Sequence, residues 1–107
     1  MSNPWRGEVA LTIDGSPRVL KLTLGALASL EARLQTGSLV DLVERFETGG
    51  FSAADVLALL HAALAGGGSE MSEDALARAE IDGGPIGAAR AAAAVLAQAF
   101  IVPGGES

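Results

Sequence analysis

His61 is the single histidine of the chain, and histidine is the residue type best suited to acid–base chemistry near neutral pH. A catalytic histidine needs a nucleophile to activate or a carboxylate that orients its ring. Glu47 and Asp55 are near in sequence, but neither has the helical spacing that would face His61. The sequence therefore predicts a surface or helix-boundary histidine rather than a catalytic one.

A run of glycines at 66–68, followed by Ser69, is a second feature with chemical potential, because glycine-rich loops can cradle phosphates. A phosphate-binding loop opens a helix and carries a lysine. This run instead follows an apolar helical segment and contains no lysine. We interpret it as a helix C-cap and a flexible linker.

Two acidic pairs, Glu73 with Asp74 and Asp41 with Glu44, are the remaining candidates for a metal or an acid–base site. Calcium loops alternate oxygen ligands around a central glycine and end in a glutamate, and no such pattern is present. Stabilisation of a helix start and a solvated helix face account for these carboxylates. The chain also has no cysteine. We expect no catalytic residue, no cofactor and no bound metal.

The charge balance argues against two classes of partner. Thirteen acidic and seven basic residues give a formal net charge of −6, and the basic residues occur singly. Nucleic-acid binding requires clustered Lys and Arg, and anionic membrane surfaces select for the same feature. We therefore expect neither partner. The first residues do not resemble a secretion signal and no apolar run could span a bilayer, so we expect a cytoplasmic location.

The elements that position these residues follow from periodicity and from glycine punctuation. At 107 residues, we expect a single domain over 1–107. Alternating apolar residues on either side of Asp14-Gly15 predict a β-hairpin at about 7–22. Apolar residues at three- and four-residue spacing then predict helices. The expected fold class is α+β, an amino-terminal β-hairpin followed by a compact bundle of four to five short α-helices, at about 24–36, 39–48, 53–65, 73–81 and 85–101.

Local signals predict where several helices begin. Thr23 and Ser72 are expected N-caps, and Ser52 with Asp55 forms a capping-box-like start. Phe51 precedes that start and is placed to act as a hydrophobic staple against Val56. The third helix is apolar around most of its circumference, so we expect it to be the central and most buried helix.

The last helix carries a wide apolar surface that ends in Phe100-Ile101-Val102. One interpretation is that it packs back on the hairpin and on the central helix. The other is a docking surface for another helix or a second copy of the chain, because large apolar patches on soluble proteins mark interfaces. On the second interpretation, the expected partner-binding residues are Trp5, Val95, Leu96, Ala99, Phe100, Ile101 and Val102.

Several segments of the chain form a recognisable series: LTLGALASLEARL at 22–34, DVLALLHAAL at 55–64 with the glycines that follow, AAVL at 93–96 and AF at 99–100, together with the Asp14-Gly15 turn. In this order they resemble the small tail proteins of phage-like gene transfer agents and related prophages of α-proteobacteria. Each segment alone is an ordinary amphipathic pattern, and their order and the intervening glycines carry the resemblance.

The resemblance implies a role in virion assembly rather than catalysis. It implies a tail-assembly chaperone that binds the tape-measure protein or the tail tube protein. The expected location is the cytoplasm, in association with phage-like particles. Self-association into a homo-oligomer is compatible with this role. The alternative is a structural tail component, such as a tube-end or connector protein, retained in the particle. An enzyme or a regulatory adaptor unrelated to tails is the more remote alternative.

Overall fold

The computed structural model describes residues 8–33 and 39–99. A two-stranded antiparallel hairpin is followed by five helices, which confirms the predicted α+β class. The elements are β1 Glu8–Ile13, β2 Ser16–Lys21, α1 Leu24–Arg33, α2 Leu39–Thr48, α3 Ala53–Gly66, α4 Glu73–Arg78 and α5 Gly84–Ala99. In these two ranges, no helix combines the length and the apolar character needed to cross a membrane.

The hairpin turns at Asp14-Gly15, as its sequence predicts. Both residues have positive φ, 51° and 78°, which is the backbone of the two-residue turns that match strand twist. The loop is closed by the pair Ile13 and Ser16. Alternate residues of the two strands, Leu11, Ile13 and Leu20, are buried, so one face of the hairpin lies on the core.

The core is built around α3, as expected from its sequence. Five of its residues are buried, Leu59, Leu60, Ala62, Ala63 and Leu64. α5 adds a second buried row on the side that packs against α3 and β1: Ala88, Ala91, Ala92, Val95 and Leu96. Alanine on α5 brings the helix axes close together, since a short side chain leaves little distance between backbones. In the described ranges the buried residues are all hydrophobic.

The end of α3 lies directly on the backbone of β2. A Cβ atom placed on Gly66 would sit 2.0 Å from the carbonyl oxygen of Lys21, and one on Gly67 would sit 2.0 Å from that of Val19. Gly67 is also the helix C-cap, as predicted. The glycines therefore do more than end a helix, because only residues without a side chain allow this close approach.

The predicted helix starts are confirmed. The Thr23 hydroxyl accepts a hydrogen bond from Ala26 N–H at 3.1 Å, and Ser72 accepts one from Ala75 N–H at 3.0 Å. Ser52 and Asp55 form a reciprocal capping box. These caps satisfy amide groups that have no partner within the helix.

Helix α4 ends at Arg78, three residues before the predicted end at 81. Ala79 leaves the helix with φ −72° and ψ 153°, which is extended backbone. Ile81 then forms an antiparallel bridge with Ile13 on β1. The prediction of a longer helix was wrong because the residues after Arg78 form hydrogen bonds with the hairpin instead of continuing the helix.

Candidate partner-binding groove

An apolar groove of about 760 Å³ opens between α3, α4 and α5. The connection 79–83 between α4 and α5 contributes three of the lining residues, Ala79, Glu80 and Ile81. The lining residues come from every one of these elements and from the loop before α3: Phe51, Ala53, Val56, Leu57, Leu60, Leu76, Ala77, Ala79, Glu80, Ile81, Gly84, Pro85, Ala88 and Ala89. Glu80 is the single charged member of this set.

The floor and the rim of the groove differ in exposure. Leu60 and Leu76 are buried in the floor. Ala77, Glu80 and Pro85 are exposed at the rim. The volume lies within the ordinary range of binding cavities, and an apolar groove between helices suits the apolar face of another helix. Binding of an amphipathic protein segment is therefore the chemistry that this lining supports.

The groove wall at Glu80 is held by hydrogen bonds to the hairpin. Asp14 N–H donates to the Glu80 carbonyl at 2.7 Å, and Glu80 N–H donates to Asp14 Oδ1 at 2.8 Å. Asp82 N–H donates to the Thr12 carbonyl at 3.0 Å. A wall fixed in this way is preformed, so a partner does not have to order it on binding.

Another part of the lining lies at the start of α3, where contacts with α2 hold it in place. The Phe51 ring stacks on Phe46 of α2, with ring centroids 4.6 Å apart and the planes inclined by 6°. Arg45 donates to both carboxylate oxygens of Asp55, at 3.0 Å from Nε and 3.2 Å from Nη2. Phe51 and Val56, the residues of the predicted staple, both line the groove.

The surroundings of Asp55 shift the pKa of its carboxyl group. Partial burial raises its pKa, but the hydrogen bonds and charge of Arg45 and the hydrogen bonds with Ser52 lower it by more. The net pKa therefore lies below the ordinary value for aspartate. Asp55 stays ionised at neutral pH and ties α2 to the first turn of α3.

His61 lies outside the groove and contacts a guanidinium group. Its Nδ1 is 3.3 Å from Nη1 of Arg33, and Arg33 also forms an ion pair with Glu73. Arginine can only donate, so Nδ1 accepts in this contact. A guanidinium can be neither the nucleophile nor the orienting carboxylate of a catalytic histidine. The arrangement joins α1, α3 and α4, whose residues are far apart in sequence.

The acidic pairs of the sequence are not assembled into a metal site. Asp74 pairs with Arg78 at 3.1 Å across one helical turn, and Glu73 pairs with Arg33. Among residues 8–33 and 39–99, no group of three or more His, Asp or Glu side chains could hold a metal ion. Glu73 and Asp74 thus take part in ion pairs on helix surfaces.

The residues expected to bind a partner divide into two groups. Trp5, Phe100, Ile101 and Val102 lie outside the described residues. Val95 and Leu96 are buried in the core, where α5 packs on α3 and β1, and Ala99 is half-buried. The packing interpretation thus accounts for the inner face of α5, and partner binding by these seven residues stays a prediction.

Sequence reasoning did not find the groove because its lining residues are spread from 51 to 89 along the chain. The sequence signal that could have indicated the groove is the presence of apolar residues on the surface of α4 and at the start of α5. Alanine and proline at these positions do not stand out in a chain in which half of the residues are hydrophobic.

The structure combines an α+β fold with a preformed apolar groove, and its described residues contain no group of three or more side chains that could hold a metal ion. Residues 6–101 match the family described as phage tail tube protein, GTA-gp10, and the chain belongs to this family. The match confirms the predicted relation to gene transfer agent tails. No curated protein and no solved structure matches the chain.

Proposed function

We propose that this protein is a tail-assembly chaperone of a phage-like gene transfer agent, and that its groove binds a helical segment of the tape-measure protein or of the tail tube protein. The observation that carries the proposal is the preformed apolar groove between α3, α4 and α5. A partner helix that buries its apolar stripe there is protected from aggregation before the tail is assembled.

The lining of the groove suits a partner that must later be released. The described lining residues include five alanines, Ala53, Ala77, Ala79, Ala88 and Ala89, and Phe51 is the single aromatic residue among them. Tight interfaces depend on aromatic and arginine anchors in deep pockets. A shallow alanine-rich groove gives modest affinity for each copy, which allows tube subunits to displace the chaperone.

The net charge supports the same role. A formal charge of −6 on a chain of 107 residues keeps a complex with an apolar partner soluble through repulsion between copies. In this proposal the protein acts in the cytoplasm by binding alone, without catalysis, and it associates with particles during their assembly.

A structural tail component is the second candidate, because the family to which the chain belongs is described as a tail tube protein. In that case the groove binds a neighbouring subunit permanently, and the protein is present in the finished particle. Mass spectrometry of purified particles distinguishes the two roles. Stoichiometric retention contradicts the chaperone, and loss from mature particles contradicts the structural role.

Co-expression tests the binding function directly. The tape-measure protein is produced with the wild-type protein, with Ala77→Trp, which fills the groove from its rim, and with Ala75→Trp, which places the same side chain on an exposed position of α4 outside the groove. We expect wild type and Ala75→Trp to keep the tape-measure protein soluble, and Ala77→Trp to fail. The same three variants are tested with the tail tube protein.

The alternative outcomes are informative. If the solubility of both tail proteins is the same with and without this protein, the chaperone proposal is wrong. If Ala77→Trp and Ala75→Trp act equally well, the protein binds its partner through another surface.

A further inference from the structure

We infer that Glu80 makes the groove selective for a helix that carries a basic side chain beside its apolar stripe. The inference rests on the proposed function of the groove and specifies the chemistry of its partner. Among the described residues that line the groove, Glu80 is the one with a charged side chain, and it lies exposed at the rim.

Hydrogen bonds hold the backbone of Glu80, whereas its carboxylate forms none within the described ranges. Both its N–H and its carbonyl are hydrogen-bonded to Asp14. Within the described ranges, Glu80 makes hydrogen bonds only through these backbone groups. Arg78, the closest basic residue in sequence, is paired with Asp74 at 3.1 Å. The carboxylate thus lies at the edge of an apolar surface, and no cationic side chain of the described residues pairs with it.

Covering this carboxylate has a free-energy cost that depends on the partner. An apolar partner removes water from the carboxylate without providing a hydrogen bond or an ion pair to replace it. An acidic partner adds electrostatic repulsion. A lysine or arginine at the edge of the partner's apolar stripe forms an ion pair and restores the lost interaction. The net charge of −6 favours the approach of a basic helix as well.

The partner is therefore an amphipathic helix with apolar residues at i, i+3, i+4 and i+7 and a basic residue flanking them. An acidic helix with the same apolar stripe is disfavoured. The groove selects between them through one rim contact, and the apolar floor binds both.

Synthetic helices test this selectivity without any tail protein. Three labelled peptides of about 18 residues share one leucine stripe and differ in the flanking residues, which are lysine, glutamine or glutamate. Their dissociation constants are measured by fluorescence anisotropy with the full-length protein, Glu80→Gln and Glu31→Gln. Glu31 is an exposed carboxylate on α1 away from the groove, so it controls for net charge.

We expect the lysine peptide to bind more tightly than the glutamine peptide by about two- to fivefold, the size of an exposed ion pair, and the glutamate peptide to bind most weakly. Glu80→Gln should remove this ranking, and Glu31→Gln should keep it. Equal affinities for all three peptides, or a ranking that Glu80→Gln leaves unchanged, contradict the selectivity.

Other occupants of the groove give different results. If Ala77→Trp turns a self-associating protein into a monomer in sedimentation, a second copy fills the groove and the inference is wrong. If truncation after Ala99 is required before any peptide binds, the chain's own carboxyl-terminal segment fills it, and the inference is also wrong. Because no tail protein is present, selectivity can fail here while co-expression still supports a chaperone, and the reverse also holds.

Discussion

Asp14 and Glu80, 66 residues apart in sequence, are joined by two hydrogen bonds. Asp14 donates its N–H to the Glu80 carbonyl and accepts the Glu80 N–H on its own carboxylate. The same Asp14 forms the hairpin turn with a positive φ of 51°. One residue therefore shapes the turn of the hairpin and holds the wall of the groove.

Replacing Asp14 tests this double role. We expect Asp14→Ala to lower the free energy of unfolding by about 1–3 kcal/mol, because it removes a hydrogen-bond acceptor and places alanine in the left-handed region. Asp14→Asn keeps the acceptor oxygen and a residue type that tolerates this backbone, so its loss should be smaller. Urea unfolding followed by circular dichroism measures both.

Peptide binding extends the same comparison. At a temperature at which both variants are folded, Asp14→Ala should bind the lysine peptide more weakly than Asp14→Asn, because the groove wall is no longer held. Equal binding by the two variants would show that the wall keeps its position without the Asp14 carboxylate.

Gly66 provides a test of the contact between α3 and β2. Alanine normally stabilises a helix relative to glycine by about 0.5–1 kcal/mol. At Gly66 the added Cβ would meet the Lys21 carbonyl oxygen, and the overlap must move α3 away from β2. We expect Gly66→Ala to be destabilising by about 1–3 kcal/mol.

Gly25→Ala is the matched control for Gly66→Ala, because its Cβ would lie 3.9 Å from the nearest atom, the Thr23 hydroxyl oxygen. It should leave stability unchanged or raise it slightly. Opposite signs in urea unfolding are the expected result. A stabilising effect at both positions would mean that the approach of α3 to β2 is not tight.

Acid should weaken the contact between Arg45 and Asp55. The pKa of Asp55 is lowered in the folded protein. The ionised carboxylate therefore stabilises the fold when the pH is above about 3.9, the pKa of aspartate in an unfolded chain. That contribution is lost as the pH falls through the lower folded pKa. Asp55→Asn removes the charge, and we expect it to cost about 1 kcal/mol at pH 7.

The pH dependence of the stability lost in Asp55→Asn distinguishes the contribution of the Asp55 charge from that of its side-chain shape. The difference in unfolding free energy between wild type and Asp55→Asn should shrink as the pH falls below about 4, because the wild-type carboxylate becomes protonated. Urea unfolding at pH 3, 4, 5 and 7 measures it. A difference that stays constant over this range would assign the role of Asp55 to hydrogen-bond geometry alone.

Replacing His61 tests whether the function of the protein depends on its single histidine. Its described contact is with Arg33, near the protein surface and outside the groove. We expect His61→Ala to change the free energy of unfolding by less than about 1 kcal/mol and to leave solubilisation of the tail protein unchanged. Loss of function in a folded His61→Ala variant would favour the enzyme alternative.

Much of the fold could be predicted because its signals are local. The Asp14-Gly15 turn requires two residues that accept positive φ, and the sequence supplies them side by side. Ser52 and Asp55 are three residues apart, so their reciprocal cap is readable from spacing alone. The apolar character of α3 likewise predicted its central position.

The errors and omissions involve residues that are distant in sequence. The predicted helix to 81 ended early because residues 80–82 bond to the hairpin, a partner that periodicity cannot indicate. The contact of His61 with Arg33 also spans 28 residues. For Val95 and Leu96 the sequence left both packing and partner binding open, and their burial became visible only in the structure.

The sequence by itself determined the helix starts, the hairpin turn, the acidic charge and the family, because these depend on residue types and on spacings of a few residues. Only the tertiary structure decided where the groove lies, that the Glu80 carboxylate at its rim has no ion-pair partner among the described residues, and that Gly66 must be a glycine. Those features depend on the distances between elements, and these distances are set by how the apolar faces of the hairpin, α3 and α5 pack together.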